Sequence, residues 1–196
     1  MKPSFAARLM LRLWLLALLA PALAPAHPEP QQRVLRATSP WPIDAFTLTD
    51  QHGQPFTQDH LAGRWTFVLF GDARCAAPCA HALAALDGLL RRIAPAQVNK
   101  VTQVLFIALD AQPSRPDQLR EVLARFNPRI LAGTGAPATL ERLVDDWRVG
   151  KEPSRSAGSL LLVGPDGAVR AEYLPPFDVA LLTADYLKTR ARRSGP

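Results

Sequence analysis

Two cysteines and four histidines are the residues of this 196-residue chain whose types could carry metal or redox chemistry. Cys75 and Cys79 lie four positions apart in Cys75-Ala76-Ala77-Pro78-Cys79, and the histidines are His27, His52, His60 and His81. Were all five residues from Cys75 to Cys79 helical, the β-carbons of the pair would lie about 5–6 Å apart on one face. A disulfide wants them about 3.8 Å apart. The pair can therefore close only if Cys75 precedes the helix proper and Pro78 falls in its first turn, where proline is tolerated. There the orphan N–H groups and the positive end of the helix dipole would stabilise a Cys75 thiolate. Arg74 should add to this and Asp72 should oppose it.

An inert staple is the plainer alternative, but a loop this short constrains the unfolded chain little. A reactive or metal-binding pair is the stronger reading. Two thiolates suit Cu(I), which is soft, whereas Cu(II) or Zn(II) would need a third ligand. His81 is two positions from Cys79, about 200° around a helix, and should face away. His52 and His60 sit in an early hairpin and read as solvated. His27 would carry a new N-terminus if the chain is cut before it, and an amine plus imidazole can bind copper, but it lies on a proline-rich tether, which weighs against that role. A peroxidase is disfavoured, because Asp72 rather than Thr or Ser stands three residues before Cys75.

The elements that must position the pair follow from apolar patterning. Ala45–Leu48 and Pro55–Thr57 flank Asp50-Gln51-His52-Gly53, which is a hairpin signal. Trp65–Phe70 and Val101–Leu109 are mostly apolar runs, as in strands buried on both faces. Between them Leu83, Leu86, Leu90 and Ile93 keep the spacing of one helix face. That spacing recurs in Leu119, Val122, Leu123 and Phe126, and again in Leu140, Leu143, Val144 and Trp147. A short strand is expected at Ile130–Ala132, a closing hairpin over Leu160–Tyr173 turning at Gly164-Pro165-Asp166-Gly167, and a last helix from about Pro176. Strand–helix–strand units ending in a hairpin predict an α/β sandwich with a mixed sheet flanked by helices. With a cysteine pair at the first strand-to-helix junction, a thioredoxin-like fold with an N-terminal hairpin is the leading candidate.

The start of the chain bears on compartment. Lys2, Arg8 and Arg12 form a basic start, an uncharged run of 14 residues spans Leu13 to Ala26, and small residues close it. This is the order of a secretory signal over residues 1–26, cut before His27. The run is shorter than the roughly 20 residues of a spanning helix, though a retained N-terminal anchor is the alternative. Removing the segment takes three basic residues and lowers the formal charge from +6 to +3. The basic pI therefore says little about nucleic acid, and the basic residues Lys188 to Arg193 read as the solvated end of the last helix. Residues 27–42 read as a proline-rich tether, and residues 43–196 as one domain.

These residues together resemble the Sco/SenC family of thioredoxin-fold proteins associated with copper delivery to cytochrome c oxidase. The resemblance runs from about Phe46 to Tyr173. It is carried by Phe46-Thr47-Leu48-Thr49-Asp50 with Gly53, Leu61-Ala62-Gly63-Arg64-Trp65, Phe70-Gly71, Cys75 and Cys79, Phe106-Ile107-Ala108-Leu109-Asp110, Phe126-Asn127-Pro128, and Gly164-Pro165-Asp166-Gly167. The family's Cys-Pro-x-x-Cys-Pro differs here in both prolines. The histidine that family members place eight residues before the glycine matching Gly164 is replaced by Ser156.

The resemblance implies a periplasmic protein that assists assembly of the copper centre of a respiratory oxidase, with the copper-binding oxidase subunit or another copper or thiol protein as partner. It implies copper as the metal, on Cys75 and Cys79 as Cu(I). The missing histidine tilts the expectation towards thiol–disulfide oxidoreductase chemistry, in which Cys75 attacks and Cys79 resolves. A Cu(I) carrier without turnover, and a degenerate member with a structural disulfide, are the alternatives.

Overall fold

A computed structural model describes residues 32–72, 77–96, 98–110, 113–148 and 158–192. The described residues all belong to one compact unit, Gln31–Pro196. The expected signal segment and His27 therefore lie outside the described residues, as do Cys75 and Ser156. Among the described residues no helix is long and apolar enough to cross a membrane.

Among the described residues eight strands form one mixed sheet. In chain order these are β1 (Arg33–Pro42), β2 (Thr47–Asp50), β3 (Pro55–Thr57), β4 (Trp65–Gly71), β5 (Thr102–Ala108), β6 (Ile130–Thr134), β7 (Leu160–Val163) and β8 (Ala168–Leu174). The α-helices are α1 (Ala77–Ile93), α2 (Pro116–Leu123), α3 (Pro137–Asp146) and α4 (Val179–Ala191). Across the sheet the order is β1-β8-β7-β4-β5-β6-β2-β3. The centre is parallel, β4 with β5 and β5 with β6, and the remaining pairs are antiparallel. This is the α/β sandwich with a mixed sheet that the patterning predicts.

Side chains alternate across a strand, and the two central strands use both faces. Trp65, Phe67 and Leu69 of β4, with Val104, Phe106 and Ala108 of β5, pack under α1, α2 and α4. Val68 and Phe70, with Leu105 and Ile107, meet Leu140, Leu143 and Trp147 at α3. The helix stripes read from the sequence are the buried ones: Leu83, Leu86, Leu90 and Ile93 all line the first layer. Phe126 lies beyond the end of α2 yet still packs on that layer.

Turn chemistry accounts for both hairpins. The Asp50 carboxylate accepts from the backbone N–H groups of His52 and Gln54, each at 2.8 Å, and Gly53 takes a positive φ of 78°. At the second hairpin Gly167 donates to Gly164 O at 2.9 Å with φ 73°. The last helix starts later than about Pro176. Asp178 caps it by accepting from Ala180 N–H and Leu181 N–H, so its first residue is Val179.

One expectation is corrected. Of the stretch 27–42 read as a tether, residues 33–42 form the edge strand β1, antiparallel to β8 in the register Arg33↔Leu174 to Arg36↔Ala171. Proline is admitted there because an edge strand leaves one row of N–H groups without a ladder partner. The register shifts between Arg36 and Trp41, where Pro40 falls. Arg36 pairs with Asp185 of α4, whose carboxylate also accepts from the Tyr173 hydroxyl at 2.8 Å. That network binds β1 to the domain.

Candidate redox and copper site

The site is built where β4 ends and α1 begins. β4 is held by a parallel neighbour on one side and an antiparallel one on the other, and its last residue, Gly71, accepts from Leu109 N–H at 2.7 Å. The carboxyl end of a parallel strand is where open α/β sheets place their chemistry. Four residues of the connection lie outside the described set, and α1 is then described from Ala77, with Pro78 second. Pro78 is the second described residue of this helix.

Cys79 projects from this helix towards the sheet and is only 7% exposed. A β-carbon built on Gly71 would sit 3.3 Å from Cys79 Sγ and 3.2 Å from the Phe106 ring, so glycine is what lets the strand end approach the sulfur. Among the described residues no cysteine is a free thiol. From the other side comes Gly158, which leads into β7. A β-carbon there would lie 3.2 Å from the Pro78 carbonyl oxygen. Gly158, two positions after Ser156 in sequence, therefore sits against the first turn of α1, at the peptide between the two cysteine positions.

The histidines do not join this cluster. His81 is exposed while Cys79 is buried, in agreement with their angular separation on the helix. His52 is exposed in the first hairpin turn. His60 serves the fold, since its Nδ1 accepts from Thr57 N–H at 3.0 Å and its ring stacks on Phe56 with centroids 4.8 Å apart. Among the described residues no group of three or more His, Cys, Asp or Glu could hold a metal ion. Among the described residues Cys79 is the one cysteine, and His52, His60 and His81 do not join it in a metal-holding group.

Sequence reasoning singled out Cys75 and Cys79 but assigned no role to Gly71 or Gly158. A glycine at the end of a buried strand is a weak signal of close backbone approach, and Gly158 carried no signal of its own.

The SCO1/SenC family pattern matches residues 40–188. The chain belongs to the SCO1/SenC family. Among relatives of this Sco-family chain, a "putative copper-binding protein" of Stutzerimonas stutzeri is 29% identical over 143 residues, 68% of this chain and 70% of that one. Further relatives from Saccharomyces cerevisiae, Schizosaccharomyces pombe, Arabidopsis thaliana and Rickettsia species are matched over 31% to 51% of their own length.

Among solved structures, copper-bound yeast Sco1 superposes with a TM-score of 0.68 at 23% identity, over 81% of this chain and 96% of that one. BsSco, described with a disulfide switch and as a member of the Sco family of cytochrome c oxidase assembly proteins, gives 0.63 at 18% identity over 79% and 96%. The thioredoxin domain of a thiol-disulfide oxidoreductase from Bacteroides vulgatus gives 0.55 at 15% identity over 77% and 99%. The fold of this Sco-family chain is thus thioredoxin-like, as the junctional cysteine pair led one to expect.

Proposed function

We propose that this Sco-family chain works by reversible disulfide formation between Cys75 and Cys79, in the assembly of the copper centre of a respiratory cytochrome oxidase. In this reading it is secreted to the periplasm after removal of residues 1–26. The observation that carries it is the setting of Cys79: buried in the first turn of α1 against Gly71, not a free thiol, and with one other cysteine in the chain to pair with. Cys75, ahead of the helix, attacks a partner's disulfide to form a mixed disulfide, and buried Cys79 then attacks the Cys75 sulfur, closing the Cys75–Cys79 bond and releasing the partner as a dithiol. Such a pair would keep the copper-ligating thiols of an oxidase subunit reduced.

A second reading has a specific support. Copper is bound in the yeast relative that shares the fold, and the reduced pair would offer this chain two thiolates for Cu(I) as cargo. With Ser156 in place of the family's histidine, no imidazole completes a Cu(II) site.

The mass of the mature protein, taken with and without reduction, alkylation and added Cu(I), tests these together. The expected result is a disulfide mass that gains two alkyl groups only after reduction, on a chain beginning at His27. Two freely alkylated thiols in the protein as isolated from the periplasm, with no conversion under mild oxidation, would overturn the redox reading. An intact Met1 would make the first segment an anchor.

A further inference from the structure

Cys79 and Pro78 rest on two glycines that belong to neighbouring strands. β4 and β7 pair in the register Leu69↔Leu160. Carrying that register on by two residues brings Gly71 opposite Gly158. Both then fall on the face occupied by Leu69 and Leu160, the face under α1. Gly71 meets Cys79 Sγ, and Gly158 meets Pro78. The first turn of α1 is gripped at two successive residues.

Gly158 is doubly restricted. Its φ is +89°, a backbone hand that side chains of L-residues rarely adopt, and a β-carbon there would be 3.2 Å from Pro78 O and 3.4 Å from Pro78 C and Cβ. The obstacle is chiefly backbone in the first turn of a helix, and proline stiffens it further by fixing its own φ. A side chain at 158 must therefore displace the peptide between the two cysteines by a few tenths of an ångström.

We propose that Gly158 is a positioning residue for the Cys75–Cys79 pair, its bare backbone holding Pro78 where the disulfide can close. This rests on the redox reading above. A disulfide accepts only a narrow range of β-carbon separations, about 3.5–4.5 Å, whereas two thiols accept any. Displacing Pro78 thus costs the disulfide more than the dithiol. The relevant reaction is exchange with glutathione. The Cys75–Cys79 S–S bond breaks, one S–S bond forms between two glutathiones, and the two glutathione thiol protons end on the cysteines.

The test equilibrates the full mature protein in stepped ratios of reduced to oxidised glutathione, then traps thiols by alkylation and counts them by mass. Gly158→Ala should shift the equilibrium towards the dithiol by about fivefold or more, the scale of a modest local strain. Gly167→Ala is the control. It carries the same positive φ, +73°, but has nothing within 4 Å of the new β-carbon. It should lower the melting temperature comparably and leave the equilibrium within about twofold.

Coincident equilibria for the two variants would overturn the proposal. A wild-type pair that never forms a disulfide across the series would instead overturn the redox reading on which it rests. Should Gly158→Ala fail to fold, the same substitution is made with Cys75 and Cys79 both replaced by serine. Folding in that background supports the proposal, and failure there makes Gly158 a residue of the fold alone and ends it.

Discussion

Gly71 lies directly against Cys79: the position of a β-carbon on Gly71 is 3.3 Å from the cysteine's Sγ and 3.5 Å from its Cβ. The end of β4 and the start of α1 therefore touch through a sulfur and a bare backbone. Gly71→Ala would press on both Cys79 and the Phe106 ring. Overpacking of this kind costs about 1–3 kcal/mol. Urea unfolding of the oxidised protein should report that loss, and a variant as stable as wild type would mean the sulfur yields freely.

The two thiols should differ in reactivity. Cys79 is buried in a helix turn, and the helix N-terminus favours the thiolate of a cysteine placed before it. Alkylation of the reduced protein at mildly acidic pH should label Cys75 well ahead of Cys79, read by peptide mass. Equal labelling, or Cys79 first, would reverse the assigned roles.

Ser156, which stands where the family resemblance places a histidine, should decide which copper oxidation state is bound. A serine oxygen is hard to deprotonate and a poor substitute for imidazole, so the reduced protein should take up Cu(I) but bind Cu(II) weakly or be oxidised by it. Because Gly158 packs on Pro78, residue 156 is close in sequence to a point of contact with the cysteine loop. Ser156→His should then create stable Cu(II)–thiolate binding, followed by absorption and electron paramagnetic resonance. Tight Cu(II) binding by the unaltered protein would point to His27 or His81 as a ligand and sink the idea.

Alkaline pH should unfold this protein through its two tyrosines. Burial raises the Tyr173 hydroxyl well above its ordinary range, and the neighbouring Asp185 carboxylate adds to it. Burial likewise raises Tyr186, whose hydroxyl shares a 2.6 Å hydrogen bond with Thr102. The folded state then holds protons that the unfolded chain releases above about pH 10. Stability is complete below that pH and falls as pH rises beyond it. Ultraviolet titration should show phenolate appearing together with unfolding, and Tyr173→Phe should flatten the decline while costing about 1 kcal/mol at neutral pH. Phenolate formation in a protein that stays folded would contradict this.

The elements that hold the site were legible because they rest on local rules. The stripe from Leu83 to Ile93 is a helix face whatever it packs on, and Asp50 to Gly53 turns the chain by its own side-chain and backbone bonds. Strand β1 was not legible. Its proline-bearing sequence makes a strand only because β8, far along the chain, offers a partner, and because an edge strand can leave proline without a bond.

Gly158 and Pro78 are 80 positions apart in sequence, and nothing local relates them. They meet because β7 inserts beside β4 in antiparallel register, which carries Gly158 to Pro78 and leaves Gly71 beneath the sulfur. The sequence by itself determined the chemistry on offer: two thiols four positions apart and no histidine after His81. Which backbones close around Cys79 was decided by the tertiary structure alone, since close approach depends on sheet order, and sheet order is a property of the whole assembled core.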